Sequence, residues 1–316
     1  MEYRMHDHSY MVNDLFESQF REWPLARDNY RQLDGVRVRK IPFPGYEIAV
    51  QFNPGRIVSS AAKVDAGSIK ARPCFLCEDN RPPEQRGVPF GSDYIILINP
   101  FPIFRRHLTI VNRAHTPQQI EGNFASMLSL AEALPDFVIF YNGPQCGASA
   151  PDHLHFQAGN RGFLPVEKDF GNPDLGTAAV SSEGVELRLW SGYGRGMLTL
   201  AGSDSRAIDN AFSRFYGTFA ATQPERPEPM LNMLAYHSAG RWTVHIVPRR
   251  VHRPSCYFAA EQERILLSPA SVDMGGVFIT PREEDYNKIT AADISSILGE
   301  VCLSDGEMKS LTEVLL

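Results

Sequence analysis

The sequence lacks any apolar run long enough to span a membrane, and it has no low-complexity tract. Polar residues interrupt the N-terminus, where a secretory signal needs a continuous apolar core: His6, Asp7, His8 and Asp14. Only five of the 316 residues are cysteines, an odd count that does not suit a disulfide framework. The formal charge of -6 disfavours broad binding to nucleic acids or anionic membranes. We therefore expect a cytoplasmic globular protein with neither nucleic-acid nor membrane partners.

The hydrophobic content of 43% is enough for a large core and for two domain-sized halves. In the first half, hydrophobic spacing and turn residues predict strands, then a helix, then strands again. The predicted elements are a helix over Val12–Trp23, a hairpin of Tyr46–Phe52 and Arg56–Ala62, a hairpin of Tyr94–Asn99 and His107–Asn112, a helix from Thr116 to about Leu134, and strands at Phe137–Tyr141 and His153–Ala158. Turns this short favour antiparallel pairing, so we expect an α+β fold with helices packed on antiparallel sheets.

Residues 160–182 are rich in Gly, Pro and small residues and form the best candidate linker. After this linker the order of elements recurs, which indicates an old duplication and two related halves. The predicted elements are strands at Glu186–Trp190 and Met197–Ala201, a helix over Ser205–Ala221, a hairpin of Met230–Tyr236 and Trp242–Val247, a strand at Gly276–Thr280, and helices over Ala291–Val301 and Asp305–Leu315.

The most informative segment ends in His153-x-His155-x-Gln157. On a β-strand, this period of two places the three polar side chains on one face, while Leu154 and Phe156 point to the other. An imidazole is a good nucleophile at neutral pH when it is unprotonated and a hydrogen bond at its opposite nitrogen fixes one tautomer. In a His-x-His strand, the second histidine can donate from Nδ1 to a neighbouring carbonyl, which leaves Nε2 facing an electrophile such as phosphorus. We therefore predict that His155 is the catalytic nucleophile.

The loop before this motif suits phosphoryl chemistry. Small residues at Gly143, Gly147, Ala148 and Ser149 let backbone N–H groups and one hydroxyl approach phosphate oxygens closely. The side-chain amide of Asn142 can donate as well. We assign a catalytic role to Ser149 and substrate-binding roles to Asn142, Gly143 and Gly147.

The segment resembles the histidine triad superfamily, in the branch of galactose-1-phosphate uridylyltransferases, diadenosine tetraphosphate phosphorylases and GDP-hexose phosphorylases. Three motifs carry the resemblance: Asn142-Gly, Gly147-x-Ser149 and His153-x-His155-x-Gln157. It implies a first half over residues 1–170, with the catalytic motif and a metal site, and a degenerate second half over residues 171–316.

The resemblance also implies the reaction. The family's nucleophile falls on His155, which would attack the α-phosphorus of a nucleoside diphosphate compound. A sugar phosphate would leave a covalent nucleotidyl-histidine, and a second phosphate acceptor would take the nucleotide. Homodimerisation is a further expectation that rests on the resemblance alone.

Gln157 stands where the hydrolases of this superfamily carry a third histidine. A neutral amide can hold a phosphate oxygen but is a poor general acid or base, so we expect transfer rather than hydrolysis, with Gln157 in a catalytic role. Leu154 stands where the uridylyltransferases carry proline, and the string from His153 to Ala158 is closer to the GDP-hexose phosphorylases, which use inorganic phosphate. We therefore favour a GDP-hexose as substrate, with uridylyl transfer to a hexose phosphate or dinucleoside polyphosphate phosphorolysis as alternatives.

Cys74-x-x-Cys77 has a spacing that suits metal or redox chemistry. No thioredoxin-like strand and helix flank the pair, which disfavours a redox role, while two small buried hydrophobic residues would give the same spacing. The pair resembles half of the structural zinc site of some uridylyltransferases, and the family's remaining ligands fall on His115 and His153. Two thiolates and two imidazoles would make a closed tetrahedral zinc site.

Three further features contain histidine or basic residues. His107 matches a histidine that precedes an apolar strand in the superfamily, and we predict either a phosphate contact or a strand-end surface position. The run from Pro248 to Arg253 is the strongest basic cluster and could guide an anionic substrate or be a solvated loop. His245 resembles part of a second-half metal site, but Val247 replaces the next histidine, so we expect no second metal, and a packed core histidine is the alternative for His245.

One alternative belongs to a different class of protein. A zinc-stabilised nucleotide-binding module that has lost turnover would keep the same loop and metal site. The presence of both His155 and Gln157 favours the enzyme. The expected ligands are then a nucleoside diphosphate sugar together with phosphate or a sugar phosphate.

Overall fold

A ten-stranded antiparallel sheet forms the centre of the structure, a computed structural model that describes residues 6–57, 65–176 and 180–313. A second sheet, of three strands, is not joined to it by strand pairing. The strands are β1 (Arg37–Phe43), β2 (Tyr46–Phe52), β3 (Gly87–Phe90), β4 (Tyr94–Ile98), β5 (His107–Asn112), β6 (Phe137–Asn142), β7 (His155–Asn160), β8 (Val180–Ser182), β9 (Val185–Leu189), β10 (Leu198–Gly202), β11 (Leu231–Ser238), β12 (Arg241–Pro248) and β13 (Val277–Thr280).

Helices precede, connect and follow these strands. Within the described residues no helix is both long enough and apolar enough to cross a membrane. The helices are α1 (His6–Glu22), α2 (Pro24–Gln32), α3 (Ala66–Lys70), α4 (Phe124–Ala133), α5 (Pro165–Asp169), α6 (Ser205–Ala221), α7 (Ser271–Met274), α8 (Glu283–Lys288), α9 (Ala291–Val301) and α10 (Asp305–Thr312).

The large sheet consists of two halves with the same strand order. The first half runs β3-β4-β5-β7-β6, and the second, read from the opposite edge, runs β8-β9-β10-β12-β11. Helix α4 follows β5 just as α6 follows β10, and the halves meet where β6 pairs with β11, with Asn142 opposite Asn232. The predicted α+β fold with two related halves is confirmed, whereas the boundary at residue 170 stays a prediction.

Strand β7 shows how the sheet separates its two faces. Phe156 and Ala158 are buried in a core that also contains residues of α4 and α6. His155 and Gln157 alternate with them, so they lie on the opposite face, where they line a cavity. The alternation of side chains along β7 therefore places His155 and Gln157 on the face that points away from α4 and α6.

The predicted hairpin of Tyr46–Phe52 with Arg56–Ala62 is wrong. The antiparallel partner of β2 is β1, and the turn between them uses Gly45 at φ +84°. Arg56 lies instead in a short 3₁₀ turn, and residues 58–62 lie outside the described part of the chain. Strand β1 is mostly exposed, with Ile41 its only buried residue, so it lacks the apolar alternation by which strands are recognised.

The predicted helix from Thr116 to Leu134 begins only at Phe124. Gly122 has a φ of +74°, which a right-handed helix cannot accommodate, so residues 116–123 form a loop. Backbone hydrogen bonds tie this loop to the catalytic segment, from Leu154 N to Thr116 O at 2.7 Å. The strand predicted at His153–Ala158 also shifts, since β7 starts at His155.

Glu228 of the second half holds the same loop. Its carboxylate accepts a hydrogen bond from Ile120 N at 2.5 Å and one from the Tyr141 hydroxyl at 2.7 Å. The side chain is only 2% exposed, and burial raises its pKa to about 7. An ionisable group thus lies in the contact between the halves.

We predict that Glu228 makes stability fall as the pH rises from about 4.5 to 7. In this window the unfolded chain has already released the proton that the folded protein retains, so ionisation favours unfolding; above the folded pKa the effect is constant. Glu228→Gln removes this pH dependence, which amounts to at most roughly 3 kcal/mol. Urea unfolding at several pH values measures it, with the exposed Glu84→Gln as control; the same pH dependence in wild type and Glu228→Gln would contradict the assignment.

Candidate active site

His155 begins β7 and is held in one orientation. Its Nδ1 lies 2.8 Å from the backbone oxygen of His153, so Nδ1 carries the proton and Nε2 keeps its lone pair. The side chain is 3% exposed, and burial lowers its pKa to about 4, which leaves the imidazole neutral at pH 7. This is the arrangement that the His-x-His spacing predicted for a nucleophile.

Gln118 fixes the backbone of His155. The sequence pattern does not indicate this role, because it predicts that residue 118 lies in a helix. Its Oε1 accepts from His155 N at 2.8 Å, and its Nε2 donates to His155 O at 3.0 Å and to Asn142 O at 2.9 Å. The amide thereby bridges β6 and β7 where the two strands separate. The hydrogen bonds of this buried side chain thus replace the backbone hydrogen bonds that β6 and β7 do not make with each other there.

Gln157 has its amide orientation set by His107. The Nδ1 of His107 accepts from Ile103 N at 3.1 Å, so its Nε2 bears the hydrogen and donates to Gln157 Oε1 at 3.0 Å. Burial and the nearby Arg56 cation lower the pKa of His107 to about 3, so this neutral form persists. With its oxygen engaged, Gln157 presents its amide N–H groups to the cavity that it lines.

His107 is not the strand-end surface residue that was one of its two predicted positions. It is fully buried behind Gln157 and is not among the residues that line the cavity, and its contact with phosphate stays a prediction. The histidine acts on the cavity only through the amide that it orients. The sequence motif alone does not show that Gln157 lines the cavity while His107 lies behind it.

Gly147, Ala148 and Ser149 all line the cavity. No acceptor among the described residues lies within hydrogen-bonding distance of their three backbone N–H groups. Gly147 has a φ of +97°, and a Cβ there would lie 2.6 Å from the Cβ of Ala270, so the loop requires glycine. Three of the four small residues that were predicted to bring donors to phosphate oxygens thus line the cavity.

Asn142 and Gly143 differ from each other in what they can contact. The Asn142 oxygen accepts from Ser271 N at 2.8 Å and from Asn232 Nδ2 at 3.0 Å, which leaves its amide nitrogen as the donor of a side chain on the cavity wall. Gly143 donates its N–H to Leu231 O at 3.1 Å and does not line the cavity. The N–H of Gly143 is therefore engaged within the protein, and its substrate contact stays a prediction. The missing side chain of Gly143 lets the loop approach Leu231, where a Cβ would lie 2.9 Å from the carbonyl oxygen.

The cavity has a volume of about 710 Å³ and draws its walls from both halves of the chain. Three arginines line it: Arg56, Arg72 and Arg253. Trp23, Leu25 and Phe75 supply apolar wall, and Leu25 and Phe75 are both substantially exposed. A cavity of this size with cations, amide donors and apolar surface suits an organic phosphate.

The four predicted metal ligands converge, with their ligand atoms all within 4.8 Å of one another: Cys74, Cys77, His115 and His153. The Nδ1 of His153 lies 3.3 Å from Cys74 Sγ and 3.6 Å from Cys77 Sγ, and Cys77 Sγ lies 3.1 Å from His115 Nδ1. Tetrahedral zinc with bonds of about 2.3 Å to sulfur and 2.0 Å to nitrogen places such atoms about 3.5 Å apart. The donor set and its spacing fit zinc.

His153 joins this cluster to the nucleophile. Its Nε2 lies 2.7 Å from Asn112 O, which fixes the hydrogen on Nε2 and directs the Nδ1 lone pair at the thiols. Its backbone oxygen is the group that orients His155. One residue therefore belongs to both the metal cluster and the candidate catalytic site.

His245 of the second half takes no part in the cavity. It is fully buried, and its Nδ1 lies 2.7 Å from Thr199 Oγ1. Phe170, Trp190 and Tyr236 surround the ring. This is the packed core histidine that the sequence left as an alternative, and no cluster of three or more potential ligands forms there among the described residues.

Two family models match parts of the chain. Residues 15–160 match a domain of unknown function, DUF4922, and residues 225–316 match the GDPGP1-like C-terminal domain. No curated protein sequence matches the chain.

Solved structures extend the comparison to most of the chain. Yeast Ap4A phosphorylase Apa2 in complex with Ap4A has a TM-score of 0.59 at 15% identity, over 89% of this chain and 97% of that one. The complex of Apa2 with AMP gives 0.58 at the same identity, over 89% and 95% of the two chains. A GalT-like protein from Arabidopsis thaliana covers 83% of this chain and 99% of its own at 11% identity, with a TM-score of 0.40 that by itself supports no assignment.

Taken with the catalytic motif and the strand order, these matches confirm the predicted resemblance. The chain shares its fold with yeast Ap4A phosphorylase, and residues 225–316 match the GDPGP1-like C-terminal domain, which supports the resemblance to the branch of the uridylyltransferases, the diadenosine tetraphosphate phosphorylases and the GDP-hexose phosphorylases.

Proposed function

We propose that the protein is a nucleotidyltransferase of the phosphorylase type that acts on a nucleoside diphosphate sugar through a nucleotidyl-His155 intermediate. The observation that carries the proposal is a buried, neutral imidazole whose tautomer is fixed and which lines a cavity rich in phosphate-binding donors. A GDP-hexose is the favoured substrate, and inorganic phosphate the favoured acceptor. The His-Leu-His-Phe-Gln-Ala string and the match to the GDPGP1-like C-terminal domain support this choice.

The reaction has two steps at one phosphorus atom. The Nε2 lone pair of His155 attacks the α-phosphorus, the bond from that phosphorus to the bridging oxygen breaks, and hexose 1-phosphate leaves with the electron pair. Inorganic phosphate then attacks the same phosphorus, the P–N bond breaks, and a nucleoside diphosphate is released. His155 ends as the neutral imidazole with which it started.

The surrounding residues bind the charge that develops on the transferred phosphoryl group. The N–H groups of Gly147, Ala148 and Ser149, together with the Ser149 hydroxyl and the Asn142 amide, would donate to its non-bridging oxygens. Gln157 would add an amide N–H that His107 keeps directed into the cavity. Since none of these groups is a strong base, water is not activated and transfer to phosphate is favoured.

Zinc would be held by Cys74, Cys77, His115 and His153, where it supplies a rigid tetrahedral cross-link. These ligands lie in three separate segments of the chain. The cross-link would fix the position of His153, and with it the carbonyl that orients His155.

Dinucleoside polyphosphate phosphorolysis is a second candidate, favoured by the structural likeness to yeast Ap4A phosphorylase. Uridylyl transfer between hexose phosphates would use the same intermediate. Homodimerisation and a cytoplasmic location stay predictions.

We predict that wild-type protein mixed with a panel of GDP, UDP and ADP sugars, without phosphate, gains the mass of one nucleotidyl group, which is a nucleoside monophosphate less one water. His155→Ala loses this adduct because the variant lacks the Nε2 lone pair that would form the P–N bond. Intact-protein mass spectrometry measures the change, and His237→Ala, a histidine that does not line the cavity, serves as control. An adduct that persists in His155→Ala would contradict the mechanism. A nucleotide-dependent rise in melting temperature without adduct or turnover would favour the inert binding module.

We predict about one zinc ion per chain in untagged protein after gentle purification. Cys77→Ser should lose most of the metal and lower the melting temperature, because a closed zinc site contributes directly to folding. Cys256→Ser, which changes a cysteine outside the cluster, should retain both. Elemental analysis and thermal unfolding measure the outcome, and a zinc content near zero in the wild type would end the zinc proposal.

A further inference from the structure

The basic cluster from Pro248 to Arg253 divides into parts with different environments. Arg249 is fully buried, whereas Arg250 is exposed and forms an ion pair with Glu307 at 2.5 Å. His252 and Arg253 both line the cavity that contains His155. Within one short segment, the fold thus separates an internal cation, a surface cation and a cavity cation.

Arg249 holds this segment in place from the inside. Its Nη2 donates to Val251 O at 3.2 Å and to His252 O at 3.1 Å, so the backbone that carries His252 and Arg253 is fixed by hydrogen bonds. Its Nε donates to Val301 O at 3.1 Å. A buried guanidinium with this many backbone acceptors makes the loop a rigid part of the wall.

Arg249 also connects the segment to the catalytic loop. Its Nη1 donates to Asn232 Oδ1 at 2.5 Å, and Asn232 Nδ2 in turn donates to Asn142 Oδ1 at 3.0 Å and to Cys146 O at 2.8 Å. A continuous chain of hydrogen bonds therefore runs from the His252 carbonyl to the loop that would hold the α-phosphate.

A second connection places Arg253 next to that loop. Its Nε donates to Ser268 Oγ at 3.1 Å. Two residues later, Ala270 packs against Gly147, and the N–H of Ser271 donates to Asn142 Oδ1 at 2.8 Å. The segment that receives the Arg253 side chain is thus the one that packs on the phosphate-binding loop.

From this placement we propose that Arg253, together with His252, forms the subsite for the phosphate that leaves with the sugar and for the phosphate that enters. The inference rests on the proposed function, because it assigns the acceptor side of the His155 reaction. The leaving phosphate and the entering phosphate are each bonded through one oxygen to the same α-phosphorus. Both therefore occupy the same place beside the nucleotidyl group. The planar fork of an arginine can hold two oxygens of such a phosphate.

The steps at this subsite conserve charge and atoms. In the first half-reaction, Arg253 binds the β-phosphate while the P–O bond breaks and its electron pair stays on the departing hexose 1-phosphate. In the second half-reaction, Arg253 binds inorganic phosphate, one of whose oxygens attacks the nucleotidyl group as the P–N bond to His155 breaks. No oxidant, reductant or further reactant is required.

The test separates the two half-reactions with a donor that has no β-phosphate. A nucleoside phosphorimidazolide, with the base of whichever sugar nucleotide gives an adduct, transfers its nucleotide to His155 while imidazole leaves. Arg253→Gln should form this adduct at the wild-type rate, measured by intact mass. Addition of inorganic phosphate below saturation should then release nucleoside diphosphate about 10- to 100-fold more slowly than from wild type, as expected when one charge-assisted contact to phosphate is lost.

Arg250→Gln is the matched control, since it removes a neighbouring cation outside the cavity wall and should leave both rates unchanged. Arg253→Lys keeps the charge without the planar fork and should recover part of the phosphorolysis rate, and equal melting temperatures show that each variant is folded. Normal adduct formation with wild-type phosphorolysis in Arg253→Gln would overturn the subsite alone. Failure of the wild type to form any adduct would overturn the proposed function, and this inference with it.

Discussion

The hydrogen bond from His155 Nδ1 to the backbone oxygen of His153 is the interaction on which the rest of the site depends. It fixes the tautomer, and the tautomer decides whether Nε2 has a lone pair to offer the cavity. Burial keeps the ring neutral, so reactivity does not require a partner base. Other contacts at the site either hold this pair of residues in position or present donors to the phosphate that His155 would attack.

Several separate segments of the chain hold the backbone carbonyl of His153 in position. The thiols of Cys74 and Cys77 lie against the side chain of His153, Asn112 O accepts from its Nε2, and Gln118 bonds the backbone N–H and C=O of His155. These supports come from loops that are distant in sequence. The catalytic strand itself supplies only the period of two that puts His155 and Gln157 on one face.

The sequence was sufficient for the parts of the site that lie in a local pattern. The placement of His155, Gln157 and the glycine loop along one cavity, and the convergence of the Cys/His cluster, could be predicted from spacing or resemblance, while their chemical roles stay predictions. The repeated order of elements predicted two related halves. Gln118 could not be predicted, because Gly122 turns an apparent helix into a loop only through its backbone conformation. Strand β1 was missed because an exposed edge strand has little apolar alternation. The burial of His107 behind Gln157 could not be predicted, because a sequence motif does not show whether one side chain lies behind another.

The junction of β6 and β11 has a consequence for how this chain could be divided. All six residues of β6 are buried, and β11 covers the edge that the strand would otherwise present. A fragment that ended between the halves would expose a flat apolar border with free backbone donors and acceptors, and such borders recruit strands from other molecules. The pairing of the two similar units thus protects one strand edge of each, and we expect a separated half to associate with other chains through that edge.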